Sequence, residues 1–216
     1  MQKRENISMS VIRRLPRYYR FLYHLKTNGV TRISSTELSE KLGLTASQIR
    51  QDLNCFGGFG QQGYGYIVAQ LCDEIGKIIG LSNGYKTILL GAGNLGQAIA
   101  NHMSFVSEGF ELAGIFDSSP NKIGNSLAGL QVRDVAELDA FCQKERPVMA
   151  TFCVPRGAAE KLAKQLYELG IRNFWNFSHY DLALQYPEAL VENVHLNDSL
   201  MTLCYKISNS GVGVKQ

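Results

Sequence analysis

Hydrophobic and polar positions divide the chain into two regions with different periodicities. Up to about residue 80, apolar residues recur every three or four positions, as in amphipathic helices. From Lys86 onward, short apolar runs alternate with helical patterns, as in a layered α/β sheet. Residues 81–86 between these regions read LSNGYK, and Ser-Asn-Gly is a turn signal. We therefore expect a first domain over residues 1–84.

The first region contains the signals of three helices. In VIRRLPRYYRFLYHLKTNG, Pro16 suits a first helical turn and Gly29 suits the left-handed end of a helix. The next segment, SSTELSEKLGLTASQIRQDLNCF, predicts helices at about 35–42 and 46–56 joined by a tight turn. Two capping boxes mark their starts: Ser34 with Glu37, and Thr45 with Gln48. This pair is predicted to be a helix-turn-helix, a common DNA-binding motif.

The second helix of this pair has an apolar face and a polar face. The apolar positions follow a three-four-three spacing and are expected to be buried: Ala46, Ile49, Leu53 and Phe56. The opposite face carries donors suited to phosphates and base edges in a major groove: Ser47, Arg50, Gln51 and Asn54. Asp52 is the one acid nearby, and we expect it to lie to the side. An ordinary three-helix domain with a polar solvent-facing side is the alternative.

Residues 57–66, GGFGQQGYGY, contain five glycines interleaved with aromatic residues. Glycines at this density permit left-handed backbone and a tight hairpin tip. After a recognition helix, such a hairpin is the wing of a winged-helix fold, which can reach phosphates or a minor groove. The candidate DNA contacts in the wing are Gly60, Gln62, Gly63 and Tyr64. A flexible loop without function is the alternative.

The segment KTILLGAGNLGQAIA, residues 86–100, reads as a strand that leads through a glycine-rich turn into a helix. A second strand at about 111–116 ends at Asp117, 21 positions after Gly96. This order predicts a Rossmann-type doubly wound parallel sheet, with a dinucleotide pyrophosphate at the helix N-terminus. The expected contacts in the turn are Gly91, Ala92, Gly93, Asn94, Leu95 and Gly96.

Asp117 indicates which dinucleotide fits. A carboxylate can accept both ribose hydroxyls but repels a 2′-phosphate, so NAD(H) is preferred over NADP(H). An acid after a strand is also common in turns, and Ser-Ser-Pro follows Asp117. The later strands PVMATFCVP and IRNFWNFS end where such sheets bind ligands. Their ends add Val154, Pro155, Asn176 and Phe177 as candidates.

The last patterned segment is HLNDSLMTLCYKI, residues 195–207. It predicts an amphipathic helix with Asn197 as its N-cap. Its apolar face comprises Leu196, Leu200, Leu203 and Ile207. A compact α/β domain has no evident place for this face, whereas a two-fold homodimer would match palindromic DNA. We therefore expect a nucleotide-binding domain at 85–195 and a C-terminal dimerisation helix and tail at 196–216.

Charge and composition favour a polyanionic partner for the first region. The net charge is only +3, but residues 1–50 hold ten Lys and Arg against three Glu. Concentrated positive charge of this kind suits nucleic acid, and a solvated basic face is the alternative. The chain has 216 residues, 45% of them apolar. It contains neither an apolar run long enough for a membrane span nor a leader-like start, so a cytoplasmic protein is expected.

Cysteines and histidines restrict the chemistry. The five cysteines form an odd set without Cys-x-x-Cys spacing, which argues against a disulfide framework and a zinc site. Cys55, beside the glycine cluster, is a candidate thiol sensor. A dehydrogenase usually needs a histidine beside the nicotinamide, and no histidine stands in a recognisable catalytic pairing. We predict no catalytic residue and no metal; a small NAD-dependent oxidoreductase and a coenzyme A-type pocket are the alternatives.

Four stretches resemble the Rex family of redox-sensing transcriptional repressors over nearly the whole chain: RRLPRYYRFL, ISSTELSEKLGLTASQIRQDLNCFGGFGQQGYGY, GAGNLGQA and IFDSSPNKIG. The resemblance implies a bacterial homodimer that binds operator DNA through its winged helices and NAD(H) through its Rossmann domains. In such proteins NADH releases the DNA, and the C-terminal helix is exchanged between subunits. The resemblance adds Arg14 to the expected DNA contacts and Lys122 to the nucleotide contacts.

The chain departs from the Rex pattern at several positions. The family favours Lys where this chain has Gln51 and Ser where it has Asn54, and fewer cations predict a shallower salt dependence of DNA binding. The resemblance also implies that Arg20 couples redox state to DNA binding together with residues at the positions of His102 and His195. The family usually has Tyr and Asp at these two positions. The alternative is therefore a winged-helix regulator whose pocket is uncoupled from redox sensing.

Overall fold

The computed structural model describes residues 7–61, 64–103 and 105–210. The chain forms two compact units, the first made mainly of residues up to Asn83 and the second mainly of residues from Gly84 onward. Helices and a small sheet make up the first unit, and strands alternate with helices in the second. The predicted α/β organisation, with a helical unit before a parallel sheet, is therefore confirmed.

The first unit contains the predicted helix-turn-helix and hairpin. Its helices are α1 (Met9–Ile12), α2 (Leu15–Thr27), α3 (Ser35–Leu42), α4 (Ala46–Asn54) and α5 (Val68–Ile78). Its strands are β1 (Arg32–Ile33), β2 (Gly60–Gln61) and β3 (Gly65–Ile67), paired antiparallel in the order β1-β3-β2. Strands β2 and β3 are the two arms of the wing. Helix α5 and strand β1 are additions to the predicted elements.

One apolar core joins the helices of the first unit. Helices α2 to α5 each contribute buried residues at three- or four-residue spacing: Leu15, Tyr18 and Leu22 from α2, Leu38 and Leu42 from α3, Ile49 and Leu53 from α4, and Leu71 and Ile75 from α5. Burial of one such side chain contributes about 1.5–3 kcal/mol. Because the core takes up one face of α4, the opposite face of α4 is fixed toward solvent.

The second unit is built on a seven-stranded sheet in the order β10-β9-β8-β4-β5-β7-β6. The strands are β4 (Tyr85–Leu90), β5 (Phe110–Asp117), β6 (Ser126–Leu127), β7 (Leu130–Asp134), β8 (Met149–Phe152), β9 (Asn173–Asn176) and β10 (Leu190–Asn193). The helices are α6 (Asn94–His102), α7 (Leu138–Glu145), α8 (Arg156–Glu168), α9 (Leu182–Gln185) and α10 (Leu196–Asn209), and a 3-10 turn spans Val135–Glu137. All pairings are parallel except that of β6 with β7.

Apolar clusters cover both faces of this sheet, as a doubly wound fold requires. Leu90 and Phe116 point to the cluster that includes α7 and α8, whereas Leu89 and Ile115 point to the cluster that includes α6. Strand β4 has β5 on one side and β8 on the other, so the strand order reverses at β4. Ligands bind doubly wound sheets at such a reversal, beyond the carboxyl ends of the strands.

Helix α10 differs from the other long helices in having no buried residue over its range Leu196–Asn209. The prediction that Asn197 is its N-cap is wrong. The N-cap is His195 and the helix begins at Leu196, two residues earlier than predicted, because strand β10 already ends at Asn193. Among the described helices, none is both long enough and apolar enough to cross a membrane.

Candidate nucleic-acid interface and nucleotide cleft

The capping residues of α3 and α4 set the start of each helix. Ser34 and Glu37 form the complete capping box that the sequence predicts. At α4, the Thr45 hydroxyl accepts a bond from the backbone amide of Gln48 at 3.1 Å. The second bond of a capping box, from the Thr45 backbone amide to the Gln48 side chain, is not formed. The Gln48 side chain donates instead to Asp52. The second capping box is therefore only half formed.

Asp52 is buried, not to the side as expected, and joins α4 to α2. Its carboxylate accepts two bonds from Arg14, at 2.6 Å from Nε and 2.8 Å from Nη2. The Tyr18 hydroxyl donates to it at 2.6 Å, and the side-chain amide of Gln48 donates to it at 2.8 Å. Burial alone would raise the pKa of Asp52, but these donors together lower it. Asp52 is therefore an ionised, fully bonded link between the two helices.

This link changes the expected role of Arg14. Arg14 is the predicted DNA contact from α2, yet its guanidinium is held bidentately by Asp52 and its side chain is only 26% exposed. Bidentate Arg–carboxylate pairs are among the stronger polar contacts in proteins. The structure therefore places Arg14 inside the unit as a partner of α4, with little of the side chain left to reach DNA.

The polar face of α4 is open to solvent, as the sequence predicts. Its four candidate contacts are all exposed: Ser47, Arg50, Gln51 and Asn54. Arg50 donates to the Ser35 hydroxyl at 2.8 Å, which steadies its side chain at the start of α3. This surface presents one cation and several neutral donors, a set suited to phosphates and base edges.

The wing extends from β2 to β3. Gly60 lies in β2, whereas Gln62 and Gly63 lie outside the described residues. Tyr64 is 69% exposed, and its carbonyl accepts a bond from Arg32 at 3.1 Å. Gly65 has a positive φ of 68°, and a Cβ there would lie 2.6 Å from the Ile33 carbonyl oxygen. Only glycine fits at this position, which fixes the base of the wing.

A cleft of about 880 Å³ opens at the carboxyl ends of β4, β5 and β8. Its lining residues come from the glycine turn, the end of β5 and the start of α8: Leu90, Gly91, Gly93, Asn94, Leu95, Phe116, Asp117, Ser118, Ser119, Lys122, Val135, Cys153, Val154, Pro155, Ala158, Lys161, Leu162 and Gln165. The volume is in the range of ligand sites in proteins. The cleft therefore coincides with the predicted nucleotide site.

The glycine turn packs too closely for side chains. A Cβ at Gly91 would lie 2.5 Å from the Cys153 carbonyl oxygen, and Gly91 has a positive φ of 97°. A Cβ at Gly96 would lie 1.8 Å from the Gly91 carbonyl oxygen. Gly93 is the N-cap of α6 and supplies no capping side chain. The first amides of α6 are thus available to an anionic group in the cleft.

Asp117 organises the other wall of the cleft. Its carboxylate accepts bonds from the Ser119 amide at 2.9 Å, the Ala92 amide at 2.7 Å and Lys122 Nζ at 3.2 Å. Burial would raise the pKa of Asp117, but these contacts together lower it, so the group is ionised. A carboxylate has about four acceptor positions. One position stays open for a ribose hydroxyl, and displacement of Lys122 would free a second.

Some predicted nucleotide contacts lie outside the cleft. Asn176 is buried, and its amide group bonds to the Tyr180 carbonyl, Asn193 and Ser178. Phe177 packs against Trp175 with ring centroids 4.6 Å apart. Neither residue lines the cleft. Two predicted contacts of the glycine turn, Ala92 and Gly96, do not line the cleft either. Ala92 donates its backbone amide to Asp117, and Gly96 packs closely against Gly91.

The wall formed by α8 was missed by the sequence analysis. Ala158, Lys161, Leu162 and Gln165 line the cleft from one face of this helix. From Ala158 to Gln165 these residues follow at intervals of three, one and three, a helical spacing that could have identified them. The apolar part of this wall, Ala158 and Leu162, suits a flat aromatic base.

The three predicted coupling residues are exposed. Arg20 lies on α2, and His102 is the last residue of α6. His195 stacks on His179, with ring centroids 5.9 Å apart and 6° between the ring planes. Within the described part of the second unit, no hydrogen bond or ring contact joins His102 to His195.

The fold and the two sites define a class: a protein with a winged-helix surface suited to DNA and a Rossmann-type cleft suited to a dinucleotide. A family model described as "Putative DNA-binding protein N-terminus" matches residues 6–54, and one described as "CoA binding domain" matches residues 82–180. A Clostridium perfringens protein named "Redox-sensing transcriptional repressor Rex" is 50% identical over 98% of this chain and 100% of its own length. A Thermoanaerobacter pseudethanolicus protein of the same name is 50% identical over 96% of this chain and 92% of its own length. The chain belongs to the Rex family of redox-sensing transcriptional repressors.

Solved structures agree with this assignment. A structure of RSP "in complex with beta-NAD+ and operator DNA" has a TM-score of 0.88 and 49% identity, covering 97% of this chain and 96% of that one. A structure of RSP "in complex with beta-NADH" has a TM-score of 0.86 and 47% identity, covering 95% of this chain and 96% of that one. RSP is described as a Rex-family repressor. The resemblance seen in the sequence is therefore confirmed.

Proposed function

We propose that this protein is a redox-sensing transcriptional repressor that binds operator DNA and is released from it by NADH. The observation that carries this proposal is the presence, in one chain, of an exposed recognition face on α4 and a cleft with an ionised Asp117. RSP, at 49% identity, has been solved with both NAD+ and operator DNA. Transcription of the target genes would then follow the NADH/NAD+ ratio in the cytoplasm.

The cleft supports NAD(H) as the ligand. The Asp117 carboxylate provides acceptor positions for the hydroxyls of an unsubstituted ribose, and the Ala92 and Ser119 amides hold it in place. A buried carboxylate repels a phosphate on either ribose hydroxyl. This disfavours NADP(H) and also coenzyme A, which carries a ribose phosphate. The glycine turn and the start of α6 would hold the pyrophosphate.

The cleft gives less support to a dehydrogenase. Hydride transfer to a small substrate usually needs a proton donor or acceptor beside the nicotinamide. Among the described residues that line the cleft there is no histidine. Its one cysteine, Cys153, is held neutral because burial raises the pKa of the thiol to about 12. The nucleotide is therefore better suited to being sensed than to being consumed.

Helix α10 supports a homodimer. Leu200 is 65% exposed, Leu203 50% and Ile207 48%, and all three lie on one face of this helix. Exposed apolar faces of this kind mark interaction sites. We place a second copy of the chain on this face, with α10 exchanged between subunits. Sedimentation velocity of the Leu200→Glu/Leu203→Glu variant should show a monomer where the wild type is a dimer.

We also keep Arg20, His102 and His195 as the residues that couple the nucleotide to DNA. All three are exposed, so they are available to a partner subunit. NADH has to bind the DNA-incompetent dimer better than the competent one, and a coupling of about 1–3 kcal/mol is typical. If the two histidines do not transmit this coupling, NADH will bind without releasing DNA.

Fluorescence anisotropy on an operator duplex tests the proposal directly. NADH should release the labelled DNA, and NAD+ should not. Arg50→Ala should abolish sequence-selective binding, whereas Asp117→Ala should bind the operator normally and need about 10- to 100-fold more NADH for release. The absence of any sequence-selective DNA binding by the wild type would refute the proposal, and turnover of NADH with a small substrate would favour an enzyme.

A further inference from the structure

Two exposed arginines flank Arg14 and have no assigned role. Arg13, the C-cap of α1, and Arg17, in the first turn of α2, lie four residues apart, and the backbone at Arg13 and Arg14 is right-handed helical. Residues at this spacing share one side of a helix. Both arginines are exposed, on the side opposite the buried Leu15 and Tyr18. Their guanidinium groups therefore point away from the core of the first unit.

These arginines differ from the paired lysines of the same unit. Over residues 7–61, 64–103 and 105–210, neither Arg13 nor Arg17 has a carboxylate within ion-pair distance or a side-chain hydrogen bond. Lys26 is paired with Asp73, and Lys77 with Glu74, each at 2.7 Å. Two adjacent guanidinium groups without counter-charges form a local positive field that suits a polyanion.

The position of this pair relative to α4 is set by Arg14. Because Arg14 bonds bidentately to Asp52 in the middle of α4, the first turn of α2 lies against the recognition helix. Arg13 and Arg17 each lie within one helical turn of this contact with the helix that carries Ser47, Arg50 and Asn54. Arg14 itself is committed to Asp52, whereas its two neighbours have their donors free.

We infer that Arg13 and Arg17 bind backbone phosphates of the DNA whose major groove receives α4. Arginine presents a planar set of donors that matches a phosphate bidentately. Four residues of helix separate the two groups by about 6 Å along the axis, so they can reach neighbouring phosphates of one strand. This inference rests on the proposed DNA-binding function and adds affinity without sequence preference.

The test is the salt dependence of DNA affinity for Arg13→Gln/Arg17→Gln. Its matched control is Lys26→Gln/Lys77→Gln, which removes the same net charge from the same unit. Anisotropy titrations would use two duplexes: an operator that the wild type selects from a random-sequence pool, and a scrambled sequence. The slope of log K against log salt is negative, and each lost phosphate contact reduces its magnitude by about 0.9.

We expect the arginine variant to reduce the magnitude of this slope by about two, equally on both duplexes. The lysine control should leave the slope near the wild-type value. Equal slopes for the two variants would overturn the inference, as would a loss confined to the operator. Either single arginine variant should reduce the magnitude of the slope by about one. A wild type that selects no operator would refute the proposed function, while the slope on scrambled DNA would still judge the arginines.

Discussion

Replacing Asp52 by Asn isolates the link between α2 and the recognition helix. The change keeps the shape of the side chain but removes its charge and turns one acceptor oxygen into a donor amide. In the wild type all four bonds to Asp52 come from donors, at 2.6–2.8 Å. The variant would therefore place an amide N–H against donor groups of Arg14, Tyr18 or Gln48.

The size of the effect follows from the burial of the two partners. Breaking a fully buried ion pair costs about 3–5 kcal/mol, because one charge is left uncompensated. The Asp52 side chain is only 1% exposed, but Arg14 is 26% exposed and can regain some water. We therefore expect the variant to lose about 2–3 kcal/mol of stability, somewhat less than a fully buried pair would lose. This is a large part of the 5–15 kcal/mol that stabilises a typical domain.

Urea unfolding of the two units can be followed separately. The single tryptophan, Trp175, lies in β9, so its fluorescence reports on the second unit. Far-UV circular dichroism reports on both units. The first unit of the variant should unfold at a lower urea concentration, and this transition should be visible by circular dichroism but not by tryptophan fluorescence. The control is Asp73→Asn, which breaks an exposed pair with Lys26 worth about 0–1 kcal/mol. If the two variants unfold at the same urea concentration, the link between α2 and α4 does not stabilise the unit.

Three further predictions concern the cleft, pH and the thiols. Asp117→Ala should weaken NADH binding about 10- to 100-fold, because hydrogen bonds to charged groups contribute about 1.5–3 kcal/mol; calorimetry that finds unchanged affinity would contradict the placement of the ribose. The lowered pKa of Asp52 means that its contribution is complete above its unfolded value of about 3.9 and is lost as pH falls through the folded value. Urea midpoints should therefore fall more steeply below pH 4 for the wild type than for Asp52→Asn, and parallel curves would contradict this. Iodoacetamide at neutral pH should modify the exposed Cys55 in the folded protein and Cys153 only after unfolding, because burial raises the pKa of Cys153 to about 12; mass spectrometry of peptides checks the order.

Features encoded by neighbouring residues were predictable from the sequence. The capping box at Ser34 needs only Glu37, three residues later, and it forms as predicted. The glycine turn and Asp117 follow from the strand-turn-helix-strand order, and both line the cleft. The capping box acts within one helical turn, and the glycine turn and Asp117 belong to one strand-turn-helix-strand unit, so these signals change little with the surrounding fold.

Features that depend on distant residues were not predictable. The burial of Asp52 depends on Arg14, 38 positions earlier in the chain, and on how closely α2 packs against α4. The same packing draws the Gln48 side chain away from its capping role. Asn176 was expected at the ligand because it ends a strand, but its amide group bonds within the unit instead. Periodicity shows which face of an element is apolar, but not which polar partner will meet a side chain.

If a second copy covers helix α10 as we propose, the stability of the protein depends on its concentration. A chain that leaves Leu200, Leu203 and Ile207 in water loses burial that a second copy would supply. By mass action, dilution then favours the less stable single chain, and the thermal midpoint rises as protein is added. A repressor present at few copies per cell would fold most securely when its operator gathers two subunits at one place. The DNA would in that case act as a stabilising ligand of its own repressor.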